Sequence, residues 1–139
     1  SEGRGMTKPF VVTGAPWVNA EKAADDLNSR GISGAYFRPL YFIPRSSGTG
    51  SNRRGKPWNK MCGGVEIVLT DPAAFRSVEA SLHIIDAYRK TSPDSLVWSP
   101  PVLIRRLNEP GVTVEDVVKA CQDDIEEFAA IRQKYLLYR

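Results

Sequence analysis

The chain has 139 residues, 42% of them apolar, with a net charge of +3 from 19 Lys/Arg and 16 Asp/Glu. That length builds one ordinary globular core and leaves no room for a second full domain. No apolar run approaches the roughly 20 residues that cross a bilayer, so no membrane partner is expected.

The charge is unevenly placed. Residues 1–61 carry ten Lys/Arg against four Asp/Glu, and residues 62–139 carry nine against twelve. Two cysteines, Cys62 and Cys121, allow at most one disulfide and read by default as buried thiols. With a single histidine beside them they fall short of the four or so ligands of a structural zinc site, and no cofactor is expected.

Ser1-Glu2-Gly3-Arg4-Gly5 sets a carboxylate and a guanidinium between glycines, a pattern suited to backbone that lies close against a ligand or a neighbouring domain. Lys8 to Thr13 forms a strand stopped at Gly14-Ala15-Pro16. Asn19 then caps a helix with Ala20, Ala23, Ala24 and Leu27 on one face, and Gly31 ends it. Tyr36 to Pro44 is extended and aromatic, and Pro39, which lacks a ladder donor, places it at a sheet edge or a bulge.

Residues 45–60 have no periodicity and read as a long basic loop. Cys62-Gly63-Gly64 leads into a strand in which Val65, Ile67 and Leu69 share a face and Glu66 points the other way. Asp71-Pro72 starts a helix with Phe75, Val78, Leu82 and Ile85 as its buried stripe. Leu96 to Trp98 is at most a short strand, and Val102 to Leu107 a short helix closed by Pro110-Gly111.

Thr113 caps a last helical region with an apolar stripe of Val114, Val118, Cys121, Ile125, Phe128 and Tyr135, as one helix or as two broken near Gln122. Asp123, Asp124, Glu126 and Glu127 form its wet face. The fold class is α+β, a small antiparallel sheet of two to three strands packed with four to five helices.

Four segments together resemble the C-terminal domain of the exo-β-N-acetylmuramidase family, formerly a domain of unknown function. They are Ser1 to Gly5, Gly14-Ala15-Pro16-Trp17, Phe37-Arg38-Pro39 with Phe42 and Pro44, and Cys62-Gly63-Gly64-Val65 leading to Thr70-Asp71. Arg132 and Tyr135-Leu136-Leu137-Tyr138 complete the pattern at the far end. Met6 stands where the pattern has Thr, and Glu66 where it has Gln.

The resemblance implies that residues 1–139 form a single cleft-forming domain that follows a larger Rossmann-like N-terminal domain, with the active site between the two. It implies a glycosidase that removes N-acetylmuramic acid from the non-reducing end of peptidoglycan fragments, in a parent protein that is secreted or periplasmic. This chain alone is then inactive, with the N-terminal domain and a muropeptide or other amino sugar as its partners.

Glycoside hydrolysis uses two carboxyl groups across the scissile bond, and Glu2 is the candidate catalytic one. Arg4 and Arg38 are candidates for the lactyl carboxylate of the sugar, because a guanidinium meets a carboxylate in a bidentate fork. They are expected on one concave surface with Glu2. Tyr36, Tyr41 and Trp17 offer faces for stacking, and Glu66 a polar group for the cleft. His83, with no second imidazole or nucleophile motif, reads as structural.

A reading of a different class is a stand-alone binding module for an anionic polymer, nucleic acid or cell-wall glycan, through loop 45–60 with its Arg53-Arg54-Gly55-Lys56-Pro57-Trp58 stretch. The modest net charge and the lack of a nucleic-acid motif weigh against nucleic acid.

Overall fold

The computed structural model describes residues 1–45, 57–91 and 102–137. Most of loop 45–60 and the short strand expected at 96–98 lie outside the described residues. The chain divides into two compact units, Ser1–Val97 and Trp98–Arg139.

The first unit runs β1 (Val12–Ala15), α1 (Ala20–Ser29), β2 (Ala35–Phe42), β3 (Cys62–Leu69) and α2 (Ser77–Thr91). Its sheet is antiparallel in the order β1-β3-β2, which matches the α+β expectation. The register sets Val12, Glu66 and Arg38 in one row, and Thr13, Val65 and Pro39 in the next. Side chains alternate between faces along a strand, so Phe37, Val65 and Ile67 look one way and Tyr36, Arg38, Leu40 and Glu66 the other.

The first of these faces packs with α1 and α2. Ala23, Ala24 and Leu27 of α1 join Phe37, Val65, Ile84, Ala87 and Tyr88 in the main core. Tyr88 also donates its hydroxyl to Thr13 O at 2.8 Å, which ties α2 to β1. The second face carries a smaller cluster of Val12, Phe42 and Cys62 with Met6 and Leu40 against it.

Each sheet edge is capped at one residue by another segment, which blunts the hazard of unpaired strand groups. On β2, Asn28 accepts from Phe37 N at 2.9 Å and donates to Phe37 O at 2.8 Å. Pro39 has the parity of Phe37, so its donor-free nitrogen faces this outer edge and breaks no ladder bond. On β1, Ser1 N donates to Gly14 O at 2.6 Å and Gly14 N to Ser1 O at 2.9 Å.

Three local readings change. β1 starts two residues after Phe10, which has φ +69°, and runs through Gly14 rather than stopping at it. Gly14 sits opposite Gly64, where a Cβ on Gly64 would fall 2.0 Å from Thr13 O, so glycine here permits close strand approach instead of ending the strand. Asp71 caps a single turn, with Oδ1 accepting from Ala73 N and Ala74 N, and α2 begins only at Ser77. Val78 is consequently 63% exposed, whereas Leu82 and Ile85 are buried as the stripe predicts.

The second unit contains α3 (Val102–Leu107), α4 (Val114–Lys119), α5 (Gln122–Arg132) and a 3-10 turn over Gln133–Tyr135. Thr113 and Asp116 close a reciprocal capping box at the start of α4. Leu107, Val114 and Val117 are buried. The last helical region is therefore two helices, broken at Ala120–Cys121, and the break splits the apolar stripe. Ile125, Phe128 and Tyr135 are exposed, and no residue of α5 is buried. Asp123, Asp124, Glu126 and Glu127 are exposed as expected.

Candidate functional site

Residues 1–10 leave the edge of β1 and close over part of the second sheet face. Glu2 O accepts from Phe10 N at 2.9 Å and Gly5 O from Arg45 N at 3.1 Å. Gly5 has φ +80°, and a Cβ there would lie 2.1 Å from Arg45 O, so this position needs glycine on two counts. The opening motif is thus ordered structure. Gly3 packs on Val12, the β1 residue in the row of Glu66 and Arg38.

That row holds the main polar feature of the face. Lys8 Nζ donates to Glu66 Oε1 at 2.8 Å, and Arg38 donates to Oε2 from Nε at 3.0 Å and again from Nη2. The Glu66 side chain is 10% exposed, whereas those of Lys8 and Arg38 are each 56% exposed. The hydrogen bond from Lys8, then that from Arg38, holds the Glu66 carboxyl below its ordinary range. It is a pinned carboxylate beneath two half-open cations. Tyr36 and Val68, paired across the same ladder and on the same face, are exposed beside it.

A second cluster lies in the opening motif. Arg4 Nε is 3.1 Å from Glu2 Oε1, and the Arg4 guanidinium stands 5.5 Å from the centroid of the Phe10 ring. Trp17, in the link from β1 to α1, is exposed. Tyr41 has the opposite parity to Tyr36; it donates to Glu21 Oε2 at 2.7 Å and accepts from Ala20 N at 3.4 Å. Tyr41 therefore serves the start of α1 and leaves the group of stacking candidates.

The structure thus brings Arg38 onto Glu66 and Arg4 onto Glu2, with Tyr36 flanking the first pair. The link between the two pairs is the segment 1–10. Lys8 is the residue that sequence reasoning missed. A lysine before a proline carries no periodic signal, and only the fold shows that it crosses to a strand residue 58 positions later.

His83 is buried in an ionic knot between α1 and α2. Arg30 reaches Asp26 at 2.5 Å, Asp86 at 2.9 Å and His83 Nδ1 at 3.3 Å, while Arg89 and Lys90 also reach Asp86, at 2.8 and 2.9 Å. Burial alone would push the Asp86 carboxyl up, but the hydrogen bond and charge of Lys90, with Arg30, outweigh it and hold it below its ordinary range. The knot fastens two helices and has the form of a structural support. Cys62 and Cys121 are both free thiols; burial pushes Cys62 up, and Cys121 is half-buried at the helix break. Among the described residues no three His, Cys, Asp or Glu gather as a metal site, and no helix is long and apolar enough to cross a membrane.

The family model described as "Exo-beta-N-acetylmuramidase NamZ, C-terminal" matches residues 1–138. The chain belongs to that family. Peptidoglycan β-N-acetylmuramidase NamZ of Bacillus subtilis (strain 168) is 31% identical over 147 aligned positions, covering 99% of this chain and 34% of that protein. A crystal structure of a DUF1343 family protein from Bacteroides fragilis superposes with a TM-score of 0.79 at 25% identity, over 97% of this chain and 37% of that one. The chain therefore spans about a third of the length of these two proteins.

Proposed function

We propose that this chain is the C-terminal part of an exo-acting peptidoglycan β-N-acetylmuramidase, and that it supplies the surface that reads the acidic sugar. The observation that carries the reading is the 31% identity to the Bacillus subtilis muramidase along 99% of the chain. The exposed guanidinium of Arg38 on an open sheet face supports it, since N-acetylmuramate differs from N-acetylglucosamine by a lactyl carboxylate.

In this reading a Rossmann-like N-terminal domain covers the second sheet face and completes the site. Arg38 meets the lactyl carboxylate, Arg4 adds positive potential, and Tyr36 presents a flat face to the sugar, whereas Trp17 follows β1 at the other end of the sheet. Glu66, pinned as an anion by two cations, is unsuited to donate a proton; it serves the binding of the sugar through the cations that it holds. Glu2 is left as this chain's candidate for one of the two carboxyls that glycoside hydrolysis uses, and the second comes from the N-terminal domain. The parent is then an exported protein acting on muropeptides for recycling.

The test is turnover of a chromogenic N-acetylmuramide. The complete parent protein should cleave it, and the 139-residue chain should not, because half the site and one carboxyl are elsewhere. Turnover by the isolated chain, or none by the parent, contradicts the reading.

A further inference from the structure

We infer that Lys8 and Arg38 form a two-cation clamp for a single carboxylate of the ligand, with Glu66 as the positioning residue between them. The inference deepens the muramidase reading of this face and rests on it.

The geometry decides whether Arg38 is used up by Glu66 or open to a ligand. A guanidinium has two forks, one along Nε and Nη2 and one at its tip between Nη1 and Nη2. Glu66 takes the first fork, with both bonds on Oε2. The tip fork has no partner among the described residues, and the side chain is 56% exposed. Arg38 can therefore grip a second carboxylate without releasing Glu66.

Lys8 is arranged in the same way. Its ammonium has three N–H donors and spends one on Glu66 Oε1; the other two have no partner among the described residues, on a side chain that is 56% exposed. One carboxylate, one oxygen per cation, thus holds both cations side by side on the open face. Their flexible side chains are ordered before a ligand arrives, which lowers the entropic cost of binding.

The charge count sets the ligand class. Two cations over one carboxylate leave a net charge of +1, which matches a monoanion such as a sugar carboxylate better than a phosphate dianion. Tyr36, exposed on the same face two residues from Arg38, borders the clamp with an aromatic surface. A carboxylated sugar fits both features.

The experiment is equilibrium binding of N-acetylmuramic acid and of N-acetylglucosamine to the complete parent protein by titration calorimetry. The wild type should prefer the carboxylated sugar. Lys8→Gln should lose about tenfold in affinity for it, with the affinity for N-acetylglucosamine unchanged, and Lys8→Arg should retain the preference. Glu66→Met, which fills the same space without an acceptor, should lose preference as Lys8→Gln does. Added salt should weaken binding of the carboxylated sugar alone, a readout that needs no variant.

A wild type that discriminates while Lys8→Gln discriminates equally, or whose preference is insensitive to salt, overturns the clamp and leaves the muramidase reading standing. Loss in Lys8→Arg equal to that in Lys8→Gln also overturns it. A wild type that does not distinguish the two sugars removes the muramidase reading, and the clamp with it.

Discussion

Glu66 lies directly across the β2–β3 ladder from Arg38 and takes two of its N–H donors on one carboxylate oxygen, while Lys8 holds the other oxygen from the opening segment. This contact joins the N-terminal motif to the edge strand. Under the proposed function it is also where stability and recognition would meet on the second sheet face.

Because Glu66 is held below its ordinary value, its contribution to stability is present above about pH 4.5 and is lost as pH falls through the lowered folded value. Glu66→Gln should cost about 1 kcal/mol near neutrality, a fall of roughly 3–5 °C in Tm. The gap between wild type and variant should narrow as the pH is taken from 7 down toward 3. A gap that stays constant over that range would mean that the carboxylate charge contributes nothing to the fold.

Gly64→Ala should be among the most damaging single substitutions in the sheet. The added methyl would meet Thr13 O at 2.0 Å and Gly14 Cα at 2.6 Å, both backbone atoms that cannot rotate away. The expected loss is roughly 3 kcal/mol, read from denaturant unfolding. A midpoint within experimental error of the wild type would show that β1 and β3 are not pressed together as described.

The ionic knot gives a contrast between support and chemistry. Asp86→Ala leaves Arg30 largely buried with part of its charge uncompensated, and should cost about 3 kcal/mol of stability. His83→Gln in the parent protein should leave kcat within about twofold, since the imidazole lies in the α1–α2 knot and not on the face of Arg38. A hundredfold fall in kcat with an unchanged Tm would assign His83 to the chemistry instead.

Much of the architecture is legible in local patterns. Asn19 and Leu27 mark α1 because capping and 3.6-residue periodicity act within one helix, and Pro39 marks an edge because a missing donor has few places to go. The errors arise where a distant strand decides the outcome. Gly14 reads as a stop until Gly64 is seen opposite it, and Val78 reads as core until the turn capped by Asp71 delays α2. For the site, the types and settings of Arg38 and Glu2 are visible in the chain. The Lys8–Glu66–Arg38 contact is not, since it depends on register across β3 and on a segment that folds back over the sheet.

Glu2→Gln separates chemistry from sugar binding in the complete protein. If the carboxylate exchanges a proton or meets the reacting carbon, the amide should lower kcat by at least about a hundredfold while changing KM little. Unchanged kcat would reduce Glu2 to a partner of Arg4 at the edge of the site.

The most direct measurement is steady-state kinetics of Arg38→Ala in the complete protein on paired N-acetylmuramide and N-acetylglucosaminide substrates. A charge-assisted contact is worth about 1.5–3 kcal/mol, so KM for the muramide should rise roughly ten- to a hundredfold, with a much smaller change for the sugar that lacks the lactyl carboxylate. Equal losses on the two sugars, or none on either, would contradict the assignment of this domain as the surface that reads the carboxylate.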